Sequence, residues 1–161
     1  MSLSSIQDFL EPINIAHISK DEGYRDTQLG KHIKVNEGSL PDIMDADIVI
    51  IGAGECRGAG YALHGHTAAN AIRTALYDLY YWHAQVNVVD IGNVKIGQSI
   101  QDSYAALRTV ISELLLQNKK IVIIGGAHDL TLAQYHAYTS IPTLVNAVVV
   151  DAKIDLDLEA R

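Results

Sequence analysis

Two short segments carry the residues best suited to chemistry. Gly125, Gly126, Ala127, His128 and Asp129 follow one apolar run, and Asp151, Lys153 and Asp155 follow another. An imidazole beside several carboxylates is a donor set that suits Mn²⁺ or a related divalent ion, and more than one carboxylate is needed to hold two such ions together. Asp151, Lys153 and Asp155 alternate along the chain, so an extended backbone points all three the same way. A structural reading of the same residues stands beside this one. In it, Asp129 caps the helix that follows and His128 is a satisfied histidine at a strand end.

Two further polar clusters follow apolar runs. One holds Gly54, Glu55, Cys56, Arg57 and Gly58, and the other holds Asp90, Gly92 and Asn93. The first tempts a dinucleotide-binding reading, because Gly52 and Gly54 follow a buried strand. That fingerprint then wants a glycine where Arg57 stands, and a helix that starts at once so that its N-terminus meets the pyrophosphate. Here a long glycine-rich loop intervenes, which argues against nucleotide binding. His64 and His66 flank a glycine in the same loop and read as solvated. Tyr77, Tyr80, Tyr81 and Trp82 crowd one helix end, where packing explains them better than a ligand. Cys56 has no activating base beside it and reads as structural, although Arg57 next to it would favour its thiolate.

The elements that must position these clusters can be read from the apolar pattern. Residues 47–52, 86–91, 120–124 and 145–150 are short, β-branched runs of the kind buried on both faces of a sheet. Residues 67–83 carry Ile72, Leu76, Leu79, Tyr80 and His83 at helical spacing, with Thr67 as a cap. Residues 100–117 carry Ile100, Tyr104, Leu107, Ile111, Leu114 and Leu115, and 130–138 form a shorter third helix. Strands alternating with helices predict a parallel α/β sheet with right-handed crossovers. Ligands bind such sheets beyond the carboxyl ends of the strands, and all four polar clusters fall there. Residues 1–45 form an irregular lead-in, with a short helix over 5–10 and a short strand over 32–35.

Composition narrows the function classes. With 161 residues, the chain has room for one domain with a sizeable core, and 48% hydrophobic against 19% charged residues suits a folded globular protein. A net charge of -7 argues against a nucleic-acid surface, which needs clustered Lys and Arg. Cys56 is the only cysteine, so no intrachain disulfide can form, and this fits a reducing compartment. No apolar run approaches the ~20 residues of a membrane helix, and the N-terminus lacks a signal-peptide pattern. The expectation is a cytoplasmic protein without nucleic-acid or membrane partners.

Taken in order, the clusters resemble the ureohydrolases, the group of arginase, agmatinase and formimidoylglutamase. Residues 51–58 with Glu55 and Arg57, then 68–77 with Arg73 and Tyr77, resemble the first strand, substrate-side loop and following helix of that group. Asp90, Gly92 and Asn93 resemble its next strand end. The segments around His128 and around Asp151 resemble its first two metal motifs. The resemblance covers about residues 45–157 and is nearest to formimidoylglutamase-like proteins with degraded metal motifs.

That resemblance implies a three-layer αβα fold of arginase type, as the N-terminal portion of a longer protein. The four strands are then expected to close up, all parallel, in the order 86–91, 47–52, 120–124, 145–150. It implies a pair of Mn²⁺ ions that activates a hydroxide for attack on a guanidinium or formimino carbon. His128 matches the ligand of the first motif, Asp151 and Asp155 match the aspartates of the second, and Lys153 stands where the group has a histidine ligand. The group's third aspartate motif has no counterpart in these residues, and no catalytic residue is assigned. The expected function is hydrolysis of linear amidines such as arginine, agmatine or formimidoylglutamate in the complete enzyme. This chain is expected to be inactive alone, and a homo-oligomer. The alternative is a non-catalytic relative acting as a binding module. The Lys153 ammonium is expected to neutralise Asp151 and Asp155 in place of an ion.

Overall fold

The computed structural model describes residues 4–19, 23–64, 67–142 and 144–152. Three parallel strands make its centre: β3 (Ile48–Ala53), β4 (Val88–Val94) and β5 (Lys120–Ile124), with β3 between the other two. The expected neighbours 86–91, 47–52 and 120–124 therefore stand in the expected order. Alternate residues of β3 point to opposite faces, as a strand requires. Val49, Ile51 and Ala53 join one apolar cluster, and Ile50 joins the other. Helices α4 (Ile100–Leu116) and α5 (Thr131–Tyr138) cover the first face, and α3 (Thr67–Tyr77) covers the second. This is the α/β layering that the sequence pattern implied.

The lead-in is more ordered than its composition suggests. Helix α1 (Ser4–Gln7) buries Ile6 against α4's side of the sheet. Strand β1 (Leu10–Glu11) pairs antiparallel with β4, Leu10 opposite Val94, so the sheet is not wholly parallel. After the short helix α2 (Leu29–His32), β2 (Lys34–Val35) pairs parallel with β4. Both short strands close the β4 side of the sheet; β2 falls within the short strand expected over 32–35, whereas β1 begins at the end of the helix expected over 5–10.

Three expectations fail here. Residues 145–150 do not form a fourth strand beside β5. They have no ladder partner among the described residues, and Val148 and Val150 are 90% and 96% exposed. A β-branched run becomes a strand only when a neighbouring edge takes its backbone groups, and among the described residues β5 pairs only with β3. The helix expected over 67–83 ends at Tyr77, because the backbone beyond it is drawn to the lead-in. Leu29 N donates to Leu79 O (2.8 Å) and Tyr81 N to Thr27 O (2.8 Å). The strand expected to end at Ile91 continues through Gly92 and Asn93, by a device described below.

Helix α4 has the clearest start signal in the chain. Ser99 Oγ accepts from Asp102 N (3.2 Å), and Asp102 Oδ2 accepts from Ser99 N (2.9 Å), a reciprocal capping box. Ser99→Ala is expected to cost about 1 kcal/mol and to lower the thermal midpoint. An unchanged midpoint would show that the cap is redundant.

Candidate functional site

Because β3, β4 and β5 are parallel, their carboxyl ends share one edge, and the loops that follow them meet there. Gly125 and Gly126 turn the chain after β5 with φ of 83° and 79°. A 3-10 turn, His128–Leu130, then leads into α5, with Leu130 buried in the core. The loop after β3 is tied to this turn, because Ala127 N donates to Glu55 O (3.0 Å).

The two motifs read as metal-binding come together. His128 Nδ1 lies 3.5 Å from Asp151 Oδ2, although the segment before Asp151 forms no strand. Lys153 and Asp155 lie outside the described residues, as does His66. His64 is exposed. Asp129 does not cap α5, since no side-chain cap bond is present there. Its carboxylate instead accepts from the hydroxyl of Tyr104, on α4. That bond, helped by burial, pushes the Tyr104 hydroxyl up to about 12, so it stays a donor at neutral pH. The other oxygen, Asp129 Oδ1, is buried with no hydrogen-bond partner among the described residues.

Glu55 and Arg57 are joined to each other. Arg57 donates from Nε to Glu55 Oε1 (2.9 Å) and from Nη2 to Glu55 Oε2 (2.6 Å). The guanidinium also reaches the carbonyls of Gln98 (2.7 Å) and Gly97 (2.9 Å), ahead of α4. Ser103 Oγ donates to Glu55 as well (2.6 Å). The hydrogen bonds from Arg57 hold the buried Glu55 carboxyl down at about 2, against the opposing effect of burial. The pair therefore locks the loop to α4. Most of the Arg57 donors are already used, which leaves little of the guanidinium for a ligand.

Asp90 and Asn93 are not at the open edge. Both are buried on the α3 face, where they meet Arg73. Residues three apart on a regular strand face opposite ways. Here the register of β4 against β3 shifts between Ile50 and Gly52, which is a β-bulge. Gly92 supplies the φ of 96° at that point, a conformation that suits glycine. The bulge returns Asn93 to the side of Asp90. Arg73 Nε and Nη2 then grip Asp90 (2.8 and 2.9 Å), Nη1 reaches Asn93 (2.6 Å) and Asn70 (3.2 Å), and Nη2 reaches Gly92 O (3.1 Å). Tyr77 OH donates to Asp90 (2.8 Å), and burial together with that carboxylate pushes the Tyr77 hydroxyl well above its usual range. Gly52 gives this cluster room. A Cβ there would sit 2.9 Å from both terminal nitrogens of Arg73.

Sequence reasoning named Arg73 only within the segment of family resemblance and Tyr104 only within a helical stripe, gave neither a role in the site, and did not single out Ser103. The signal for Arg73 was present: Ala69, Arg73 and Tyr77 are spaced by four and are the buried stripe of α3, whereas Ile72, Leu79 and Tyr80 are exposed.

The sequence profile of the Arginase family matches residues 46–160. The chain belongs to the arginase family. Among solved structures, the formiminoglutamase of Trypanosoma cruzi with Mn²⁺ is similar, with a TM-score of 0.56 at 22% identity, over 65% of this chain and 39% of that one. The agmatine ureohydrolase of Thermoplasma volcanium gives a TM-score of 0.52 at 16% identity, over 71% of this chain and 39% of that one. These likenesses support the fold, and the chain spans about two fifths of the length of both structures. No curated protein matches the chain. No helix among the described residues is long and apolar enough to cross a membrane.

Whether these residues fit a manganese ion can be tested on the donor set. His128 and Asp151 offer one nitrogen and one carboxylate close together, but the described residues contain no group of three or more metal-binding side chains. Hard divalent ions take about six ligands, mostly oxygen. The described residues therefore do not enclose such an ion.

Proposed function

We propose that this chain carries part of a manganese-dependent hydrolase site of the ureohydrolase kind. The substrates would be linear amidines, guanidino or formimino compounds such as arginine, agmatine or formimidoylglutamate. His128, Asp151 and Asp155 are its metal donors, and Glu55 and Arg57 shape the neighbouring loop. Membership of the arginase family supports this reading. The observation that carries it is the meeting of His128 and Asp151 at the carboxyl edge of the sheet. The two donors come from separate motifs, 23 positions apart in the chain, and meet at one edge of the sheet, as a shared ligand would require.

The chain alone is expected not to turn over. A metal site supplies both the hydroxide and the charge stabilisation, so an incomplete donor set forfeits most of the rate enhancement. The check is release of urea or formamide from the three named substrates with Mn²⁺ present. Release above a no-protein control, and lost in His128→Ala, would overturn the expectation of inactivity. Calorimetric titration with Mn²⁺ tests the donors themselves: binding weakened by His128→Ala and by Asp151→Asn supports them.

A second reading, a family relative that keeps the fold without metals, is favoured by one residue. Lys153 stands where the resemblance expects a histidine ligand, and a protonated lysine has no lone pair for a metal. Absence of Mn²⁺ binding in the unmodified chain would favour this reading.

A further inference from the structure

Two neighbouring hydroxyls in the first turns of α4 each take one carboxylate from the site loops. Ser103 donates to Glu55 in the loop after β3, and Tyr104 donates to Asp129 in the turn after β5. Consecutive helical residues point about 100° apart, so a single helix end can serve two loops at once.

The turn that holds Asp129 also holds His128, and with three residues it has little structure of its own. Its orientation is set from outside. Leu130 anchors one end in the core, and Ala127 N is bonded to Glu55 O at the other. Between them, the Asp129 carboxylate is the handle. Tyr104 is its only hydrogen-bond donor among the described residues. Gly58 closes the opposite side: a Cβ there would run into the Asp129 carboxylate and lie 2.7 Å from the Tyr104 hydroxyl. The chain thus crosses the Tyr104–Asp129 pair at the one residue that leaves room for it.

We propose that Tyr104 is a positioning residue of the candidate site, holding Asp129 and through it the turn that aims His128 at Asp151. The proposal rests on the reading of His128 and Asp151 as the site's donors. Its test separates the two. Diethylpyrocarbonate modifies imidazole nitrogen, and the rate at His128 is read by peptide mass spectrometry in folded protein at neutral pH. Tyr104→Phe keeps the ring and removes only the donor. It should make His128 react several-fold faster, because the imidazole leaves Asp151. Gly58→Ala should do the same by displacing the Asp129 carboxylate, and it carries the comparison if Tyr104→Phe does not fold. Asp129→Asn keeps an acceptor for Tyr104 and should stay near the wild-type rate, while Asp129→Leu should match Tyr104→Phe. A wild-type rate at His128 in folded Tyr104→Phe or Gly58→Ala overturns the proposal, even if the melting temperature falls, because the hydroxyl is then merely structural. In a second arm, Mn²⁺ affinity should fall about tenfold in Tyr104→Phe, the scale of losing a group that orients a ligand. If the wild-type chain binds no Mn²⁺, the metal reading fails, and the modification rates still decide the role of Tyr104.

Discussion

Arg73→Met is expected to destabilise the fold by about 3–5 kcal/mol, the cost of leaving one member of a buried ion pair without its partner. The side chains of Arg73 and Asp90 are both fully buried, 2.8 Å apart at the closest. Stabilities of whole domains run to only about 5–15 kcal/mol, so this one change threatens folding altogether. The expectation is large because the cluster is saturated. A guanidinium has five N–H donors, and the partners Asp90, Asn93, Asn70 and Gly92 O take them all. Methionine fills much of the volume but satisfies none of those acceptors. Removing both charges, as in Arg73→Met with Asp90→Leu, would often restore stability at an isolated pair. It should not do so here. Tyr77 OH and Gly92 N would lose Asp90 as their acceptor, and Asn93 would lose its donor. Urea unfolding of the single and double variants measures this directly. A cost of about 0.5 kcal/mol or less for Arg73→Met, the usual scale of a surface change, would show that the cluster relaxes or takes in water.

How much of this was legible in the sequence follows from the range of the interactions involved. The runs at 47–52 and 120–124 and the helix from Ile100 were readable because local pattern and tertiary environment agree there. The Ser99–Asp102 box, the apolar stripe of α4 and the β-branched runs all point the same way. The run at 145–150 has the same local pattern and still forms no strand, since pairing depends on a neighbouring edge that the run itself does not encode. The stripe of α3 was misread for the converse reason. Arg73 looks like a surface residue until the bulge at Gly92 brings Asp90 and Asn93 beneath it. Glu55 and Arg57 were placed in the loop after the first strand, but their spacing could not reveal that they bind each other, because their three further partners, Ser103 and the carbonyls of Gly97 and Gln98, lie forty or more residues away. His128 and Asp151 were singled out by residue type, and the fold does bring them to 3.5 Å.

The Glu55 lock gives the fold an acid-sensitive component with a defined window. Glu55 is buried, and its carboxyl is held at about 2 rather than the ordinary 4.5, chiefly by the Arg57 hydrogen bonds, with Ser103 adding to them. A carboxyl whose value is lower in the folded state binds its proton less readily there than in the unfolded chain. Its contribution to stability is therefore complete above pH 4.5 and is lost as the pH falls from there through about 2. From the size of the shift, the contribution is on the order of 3 kcal/mol. Asp102 titrates in the same direction, its carboxyl lowered by the backbone N–H and hydroxyl of Ser99, so it forms the background in every variant that keeps the cap. The measurement is the urea midpoint of the wild type and of Glu55→Gln between neutral pH and pH 2. Glutamine keeps the shape and one acceptor for Arg57 but has no proton to gain in this range. Glu55→Gln should be less stable than wild type at neutral pH, and the two curves should converge as the pH drops. Parallel curves, with the same loss from pH 4.5 to 2 in both proteins, would mean that Glu55 titrates alike in the folded and unfolded chain and that Arg57 does not hold it in its charged form.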